Sequence, residues 1–274
     1  MIQRDYINLE GVRISYLQKN ARAEKIIFFF HGNCNSADLW VNQFSYSALN
    51  DYALIAFDLP AHGFSEIPQD VTKCNLLWLA AILSKCILEI SAGRRYILCG
   101  LSLGGNVIAE MLATNIDPSA LIFVGSNFVG DDVTPSDIIT DALVNEVLYT
   151  NTASLADVQF YMQRASVVKN RNNQTLLLKD YQQVDSRFRD AFPASVARGD
   201  YSDEIRLIKN FTRPVLLVFG AMDTICSRKL MAKLTPVAWG NTIHAIEDAG
   251  HFVVLDQAEK FNNLLGEFLR DLYI

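Results

Sequence analysis

The chain has 274 residues, a formal net charge of −6 and 50% hydrophobic residues. This length predicts one large domain or two small ones, and this composition is ample for a well-buried core. Lys and Arg form no run longer than a pair, so the acidic chain is not expected to bind nucleic acid or anionic membrane surfaces.

The five cysteines are odd in number and include no Cys-x-x-Cys pair, which favours reduced thiols over disulfides or a zinc site. The first residues, MIQRDYINLEG, lack the apolar centre of a signal peptide, and no apolar run is long enough to span a membrane. We therefore expect a cytoplasmic protein without a membrane span. The cysteines are Cys34, Cys74, Cys86, Cys99 and Cys226.

Short apolar runs along the chain predict β-strands. The first of them, VRISYLQ at 12–18, alternates like a strand with one exposed face, and most of the others are continuous, as in parallel strands buried on both faces. The later runs lie at 25–30, 52–58, 96–100, 120–125, 214–220 and 241–250.

Helical patterns separate the predicted strands. The segment 75–90 is apolar nearly all round and should be well buried, 104–115 is shorter, and 256–273 is amphipathic. Alternating strands and helices predict an α/β fold with a mostly parallel sheet.

The segment from about 127 to 213 interrupts this alternation. It contains helical, polar-rich stretches and no buried-strand pattern, and it is too long for a plain loop. We predict a helical cap at 127–213, inserted into a core formed by 1–126 and 214–274.

The motif Gly-Leu-Ser-Leu-Gly at 100–104 follows a predicted strand and precedes a predicted helix, as a nucleophile elbow requires. Gly100 and Gly104 remove side chains that would collide with the strand or helix, which leaves the Ser102 hydroxyl at the carboxyl edge of the sheet. The motif lacks both the Gly-Lys-Ser/Thr of a phosphate-binding loop and the Gly-x-Gly-x-x-Gly of a dinucleotide site. A plain strand-to-helix turn is the other interpretation.

A serine nucleophile needs a base and an acid that orients the base. His251 lies in the loop between the last strand and last helix, and Asp223 follows the strand 214–220, so both should reach the same sheet edge. The order Ser102, Asp223, His251 is that of α/β-hydrolases. Asp58 is the fallback acid, although we expect it to fix its own loop, and Asp248 is less suitable. The other histidines are expected to shape turns (His31, His62) or to lie in a strand (His244).

The oxyanion of a tetrahedral intermediate needs two amide donors. Leu103, the residue after the nucleophile, should supply one. Asn33 should supply the other from the loop after strand 25–30, where Gly32 lets the chain turn close to the substrate, and the Asn33 side chain is a further candidate donor.

Taken together, the motifs resemble those of the α/β-hydrolase superfamily over nearly the whole chain. The resemblance implies a mostly parallel central sheet flanked by helices, with a helical cap inserted after the sixth strand, and it gives Ser102, Asp223 and His251 the triad roles. The matching stretches are FFHGNCNSADLW (29–40), LIAFDLPAHGFS (54–65), CGLSLGGN (99–106), GAMD (220–223) and AGHF (249–252).

Three subgroups of this superfamily share stretches with this chain. HGNCNSADLW also resembles haloalkane dehalogenases and epoxide hydrolases, but these enzymes use a carboxylate where this chain has Ser102. The stretches HGN, DLPAHG, SLGGN and DSRFR (185–189) look similar to the α/β-hydrolase-type N-acyl-homoserine lactone lactonases. That likeness implies that Tyr161, in the cap, faces the substrate; helix-core packing is the alternative.

The expected activity is hydrolysis of a small carboxylic ester or lactone through an acyl-enzyme, without metal or other cofactor. The cap residues Leu148, Tyr149, Phe160, Tyr161 and Met162 are candidates to hold an acyl chain. A general carboxylesterase, a C–C bond hydrolase or an acyltransferase would use the same triad, and a non-catalytic ligand receptor is a further alternative. The sequence is compatible with a monomer or a homodimer.

Overall fold

The computed structural model describes residues 1–272 and contains a central sheet with eight strands in these residues. The strand order is β1-β2-β4-β3-β5-β6-β7-β8; β1, β2 and β4 pair antiparallel, and the remaining neighbours pair parallel. The strands are β1 (Gln3–Leu9), β2 (Val12–Lys19), β3 (Lys25–Phe30), β4 (Tyr52–Phe57), β5 (Arg95–Leu101), β6 (Ala120–Val124), β7 (Val215–Gly220) and β8 (Ala238–Ile246).

The helices flank the sheet or cover its carboxyl edge. Short 3₁₀ segments also occur at Ala37–Trp40, Ser47–Leu49, Val71–Lys73 and Leu230–Val237. The α-helices are α1 (Val41–Ser45), α2 (Leu76–Ser91), α3 (Leu103–Met111), α4 (Pro135–Ile138), α5 (Ala142–Tyr149), α6 (Leu155–Ala165), α7 (Arg171–Gln183), α8 (Ser186–Arg198), α9 (Glu204–Asn210), α10 (Val253–Asp256) and α11 (Ala258–Asp271).

The predicted α/β fold is confirmed, including the mostly parallel sheet and the helical cap after the sixth strand. All five residues of β6 and all six of β7 are buried, as expected of strands covered on both faces. Between these two strands the chain forms α4 to α9. The insertion thus leaves the sheet at the carboxyl end of β6 and returns to the amino end of the parallel strand β7. We call α4 to α9 and their loops the cap.

Several elements differ from the sequence predictions. β8 spans Ala238–Ile246 and not 241–250, and α3 spans Leu103–Met111 and not 104–115. β1 was not predicted; it is an edge strand with several exposed residues, so its apolar pattern is weak. Leu77 and Leu88 of α2 are 46% exposed, so this apolar helix is not covered on every side. The predicted last helix agrees with α11 except at its ends, and its final residue, Tyr273, lies outside the described residues.

Candidate active site

Ser102 lies on the turn between β5 and α3 in a strained backbone conformation. Its φ is +51° and its ψ is −118°, a region that side chains other than glycine rarely occupy. Its backbone N–H donates to the Val124 carbonyl on the neighbouring strand at 2.9 Å. The sheet and the helix therefore hold the serine from both sides, as a nucleophile elbow requires.

The two motif glycines stand where no side chain fits. A Cβ on Gly100 would lie 2.5 Å from the backbone carbon of Gly104, and one on Gly104 would lie 2.3 Å from the Phe30 carbonyl oxygen. Both distances are far inside van der Waals contact. The close packing of β5, α3 and the end of β3 therefore depends on glycine at both positions.

Asp223 and His251 form a buried hydrogen-bonded pair. His251 Nδ1 lies 3.0 Å from Asp223 Oδ2, and the two side chains are 3% and 2% exposed. The other oxygen of Asp223 accepts the backbone N–H groups of Ile225 and Cys226 at 2.8 and 3.0 Å. Because both carboxylate oxygens are engaged, Asp223 is fixed in the orientation that directs the His251 ring.

The Asp223–His251 pair lies over the end of β6, next to Ser102. A Cβ on Gly125 would be 3.2 Å from His251 Nδ1 and 3.4 Å from Asp223 Oδ2, so the pair sits directly against this glycine. Gly125 follows Val124, whose carbonyl accepts from Ser102 N–H, and adjacent strands are about 5 Å apart. The fold thus places Ser102 and the Asp223–His251 pair at the carboxyl ends of the neighbouring strands β5 and β6.

Electrostatics favour the protonated form of His251. Burial lowers the pKa of the imidazole, but the Asp223 carboxylate and, behind it, Cys226 more than offset this effect and raise the pKa from 6.5 to about 10. The Asp223 contribution is the one that operates at neutral pH, since burial raises the pKa of the Cys226 thiol and keeps it uncharged. The base is therefore strengthened by its acid partner.

The loop after β3 approaches the serine closely. A Cβ on Gly32 would lie 3.3 Å from Ser102 Cβ, so the loop that carries Asn33 passes close to the serine. Leu103 begins α3, and the first amides of a helix have no acceptor within it. Both backbone positions suit an oxyanion. The Asn33 side chain has another partner, because its Nδ2 donates to the Leu148 carbonyl of the cap at 3.0 Å.

A cavity of about 670 Å³ opens over Ser102 between core and cap. Ser102, Leu103 and Asn106 line its core side, and Cys226 lines it beside the Asp223–His251 pair. The cap side is mostly apolar and includes Ile138, Val144, Leu148, Tyr149, Phe192 and Val196. Such a mostly apolar space with a few polar groups at one wall is typical of small-molecule sites.

The cap residues predicted to hold an acyl chain divide into two sets. Leu148 and Tyr149 line the cavity, whereas Phe160 is 57% exposed and Met162 lines a groove between α6 and α7. Tyr161 is buried but is not among the cavity-lining residues; burial, followed by the Cys34 and Tyr149 neighbours, raises the pKa of its phenol well above its usual value. A substrate contact for Tyr161 stays a prediction.

The remaining histidines have structural partners. His31 Nδ1 lies 2.7 Å from the Gly32 carbonyl and its Nε2 accepts the Leu59 N–H, and burial lowers its pKa to about 4. Burial lowers the pKa of His62 to about 3. His244 lies in β8 with its ring stacked on Trp239. None of these three is paired with an acid as His251 is.

The two alternative acids lie elsewhere. Asp58 is fully buried, accepts the Ala37 N–H at 2.7 Å and the Phe64 N–H at 3.1 Å, and pairs with Arg4. It thus fixes its own loop, as expected. Asp248 is exposed, pairs with Lys260, and lies beyond the end of β8.

Asp256, at the end of α10, was not singled out from the sequence although it joins the His251 loop to the cap. Its Oδ2 accepts the N–H groups of Gly250 at 2.9 Å and Val167 at 3.0 Å, and its Oδ1 accepts the Ser166 hydroxyl. The His251 N–H itself donates to the Ala165 carbonyl at 2.7 Å. The cap thus helps to position His251. No local sequence motif predicts these contacts.

Sequence comparison assigns the chain to a family. A model of the alpha/beta hydrolase family matches residues 27–264, and the chain belongs to that family. The dihydrolipoyllysine-residue acetyltransferase component of the acetoin cleaving system of Cupriavidus necator is 25% identical over 96% of this chain and 68% of its own length. Protein ABHD8 of Bos taurus is 25% identical, and the match spans 57% of its length. A haloalkane dehalogenase of Psychrobacter cryohalolentis is 21% identical over 95% of this chain and 88% of its own.

Solved structures give the same fold. A mutant of the N-acyl homoserine lactonase AidH, complexed with N-hexanoyl homoserine lactone, has a TM-score of 0.85 at 20% identity and 98% coverage of both chains. A thermophilic esterase from Thermogutta terrifontis has a TM-score of 0.78 at 20% identity, covering 99% of this chain and 100% of its own. Within residues 1–272, no helix is both long and apolar enough to cross a bilayer.

Proposed function

We propose that this protein is a serine hydrolase that cleaves a carboxylic ester or lactone through an acyl-enzyme. One observation carries the proposal: the Asp223–His251 pair lies against Gly125, at the end of the strand next to that of the strained Ser102, and Ser102 lines an apolar cavity. A strained serine, an imidazole and an acid in this arrangement make up the Ser-His-Asp machinery. The likeness in fold to lactonase and esterase structures supports the proposal.

In the proposed mechanism, His251 takes the proton of the Ser102 hydroxyl as its oxygen attacks the substrate carbonyl. Asp223 holds the imidazole by its Nδ1 and stabilises the imidazolium. The amides of Asn33 and Leu103 hold the oxyanion, and His251 protonates the leaving alcohol. The same imidazole then activates a water molecule that cleaves the acyl-enzyme.

Within this class, we propose an N-acyl-homoserine lactone as the substrate. The cavity is large enough for an acyl chain and mainly apolar on its cap side. A ring ester is locked in its less stable conformer and is therefore unusually electrophilic. The resemblance of the motifs to lactonases of this fold, together with the likeness in fold to AidH, favours this substrate over a simple ester.

The test is ring-opening of N-acyl-homoserine lactones with short and long acyl chains, followed by mass spectrometry of the N-acyl-homoserine product. Turnover by the native enzyme and none by Ser102→Ala supports the lactonase. Hydrolysis of p-nitrophenyl esters without lactone turnover would leave a general carboxylesterase. If neither occurs, a panel of thioesters and vinylogous diketones distinguishes acyl transfer and C–C bond cleavage from a ligand receptor.

A further inference from the structure

The loop after β7 places a thiol next to the Asp223–His251 pair. Asp223 Oδ1 accepts the N–H of Cys226 at 3.0 Å, so the chain wraps around the carboxylate over three residues. This turn returns Cys226 to the side of Asp223 that faces His251, and Cys226 also lines the substrate cavity. Its position is thus fixed by the same carboxylate that fixes the base.

The three side chains converge. One potential ligand atom each from Asp223, Cys226 and His251 lies within 4.8 Å of the other two. In residues 1–272 this is the one group of three or more His, Cys, Asp or Glu side chains that meets this criterion. The other four cysteines are fully or almost fully buried, whereas Cys226 is partly accessible.

We propose that Asp223, Cys226 and His251 form an inhibitory binding site for a thiophilic divalent cation of the zinc type. Thiolate, imidazole and carboxylate are the three ligand types that Zn²⁺ takes from proteins, and three protein ligands leave a fourth position open. A hard cation such as Mg²⁺ prefers oxygen ligands and does not suit this set. Because Cys226 lines the cavity, the cation enters by the path that the substrate uses.

Binding and catalysis exclude each other at this site. When the cation binds, the Cys226 thiol and the protonated His251 imidazole each release a proton to solvent, and the three side chains become thiolate, imidazole and carboxylate ligands. A metal on His251 Nε2 occupies the lone pair that would take the serine proton, and a metal on Nδ1 replaces the hydrogen bond to Asp223. Either way the base is lost. The site is thus an inhibitor site, and the proposed hydrolysis does not need the metal.

This cluster is not recognisable from the sequence. The scattered histidines offered no metal site, and the spacing of Asp223, Cys226 and His251 matches no metal motif. The cluster exists because the loop after β7 and the loop after β8 meet at the edge of the sheet, with no Cβ between them at Gly125.

A binding experiment without substrate tests the proposal independently of which bond the enzyme cleaves. The reduced native protein is titrated with Co²⁺, and the thiolate-to-cobalt charge-transfer band is followed; Zn²⁺ is then added to displace it. The matched variants are Cys226→Ala and Cys74→Ala, since Cys74 is buried and outside the cluster. We expect the band in the native protein and in Cys74→Ala, and its loss in Cys226→Ala.

Inhibition is measured in parallel with whatever ester the native enzyme hydrolyses, each variant being compared with its own metal-free rate. Zn²⁺ should inhibit the native enzyme, Mg²⁺ should not, and Cys226→Ala should raise the inhibitory Zn²⁺ concentration more than about 100-fold, because even partners outside the ligand shell are worth about 10–100-fold in affinity. Absence of the thiolate band in the native protein, or equal Zn²⁺ inhibition of the native and Cys226→Ala enzymes, overturns the proposal.

Discussion

The carboxyl edge of the sheet and the cap that covers it are held in different ways. At the edge, Ser102 is fixed by backbone bonds to the sheet and by glycine contacts that tolerate no Cβ. The cap rests on the core through buried apolar side chains and polar contacts, among them Asn33 with the Leu148 carbonyl and Ser36 with Asp180. The two regions therefore have different roles in the proposed function. The edge holds the reacting groups, and the cap shapes the space for the substrate.

Removing the nucleophile should have the largest effect. With Ser102→Ala we expect kcat/KM for p-nitrophenyl acetate to fall by about 10⁶-fold, with folding unchanged because alanine fits the same space. Steady-state kinetics and circular dichroism measure both quantities. Retention of full esterase activity by a folded Ser102→Ala protein would contradict the assignment.

Asp223→Asn should be the next largest change, at about 10⁴-fold in kcat, since it disturbs the orientation and tautomer of His251. His251 must be neutral to act as the base, and Asp223 raises its pKa above 6.5. The native kcat/KM should therefore rise with pH, with a midpoint above 6.5, and the variant's midpoint should move to lower pH. An unchanged midpoint in the pH profile of the variant would argue against the pair.

A cap substitution should alter selectivity more than the chemistry. Val196 lines the cavity from α8, so Val196→Phe fills part of it. We expect KM for a long-chain ester or lactone to rise about 10-fold, equivalent to about 1.4 kcal/mol, with kcat for a short-chain substrate little changed. Ala194→Phe, on the exposed side of the same helix, is the control. An equal loss of kcat/KM for short-chain and long-chain substrates would contradict the separate roles of edge and cap.

Asp180 of α7, which accepts the Ser36 hydroxyl from the loop after β3, should have a smaller effect, and this effect is on the pH dependence of the free energy of unfolding. Burial raises the pKa of Asp180 to about 7, and its Oδ2 has no hydrogen-bond partner within residues 1–272. The folded chain then retains a proton that the unfolded chain has released, so the free energy of unfolding falls as pH rises from about 4 to 7.

Asp180→Asn removes this titration, and its Oδ1 still accepts the Ser36 hydroxyl. Relative to the native protein it should become more stable by about 1–3 kcal/mol above pH 7, with the difference shrinking toward about pH 4. Thermal unfolding at the two pH values measures this shift, and the exposed Asp51→Asn serves as control. A stability difference that does not vary with pH would show that Asp180 does not titrate as its burial implies.

The sequence was most informative where a local turn permits only one type of residue. Gly100 and Gly104 could be recognised because a turn of this kind admits no side chain at either place. The carboxyl ends of parallel strands lie at one edge, so Asp223 and His251 could be expected near Ser102 once the strands were predicted. The residues at the carboxyl edge of the sheet were predictable because their positions follow from the strands and the turns after them.

The cap and the long-range contacts were less predictable. Phe160 looked like a cavity residue by hydrophobicity, but which face of α6 packs inward depends on its partners, and this side chain points to solvent. Asp256, Cys226 and Gly125 carry no motif, and their roles arise only when distant loops meet. β1 was not predicted because an edge strand needs few apolar residues.

The central claim is that Ser102 is an activated nucleophile beside the Asp223–His251 pair. Its most direct test is labelling with a fluorophosphonate probe, read by intact mass and by mass spectrometry of the peptides. We predict one adduct per chain, located on Ser102, absent in Ser102→Ala and strongly slowed in His251→Ala. A folded native protein that takes up no probe, or an adduct on another residue that persists in Ser102→Ala, would contradict the account.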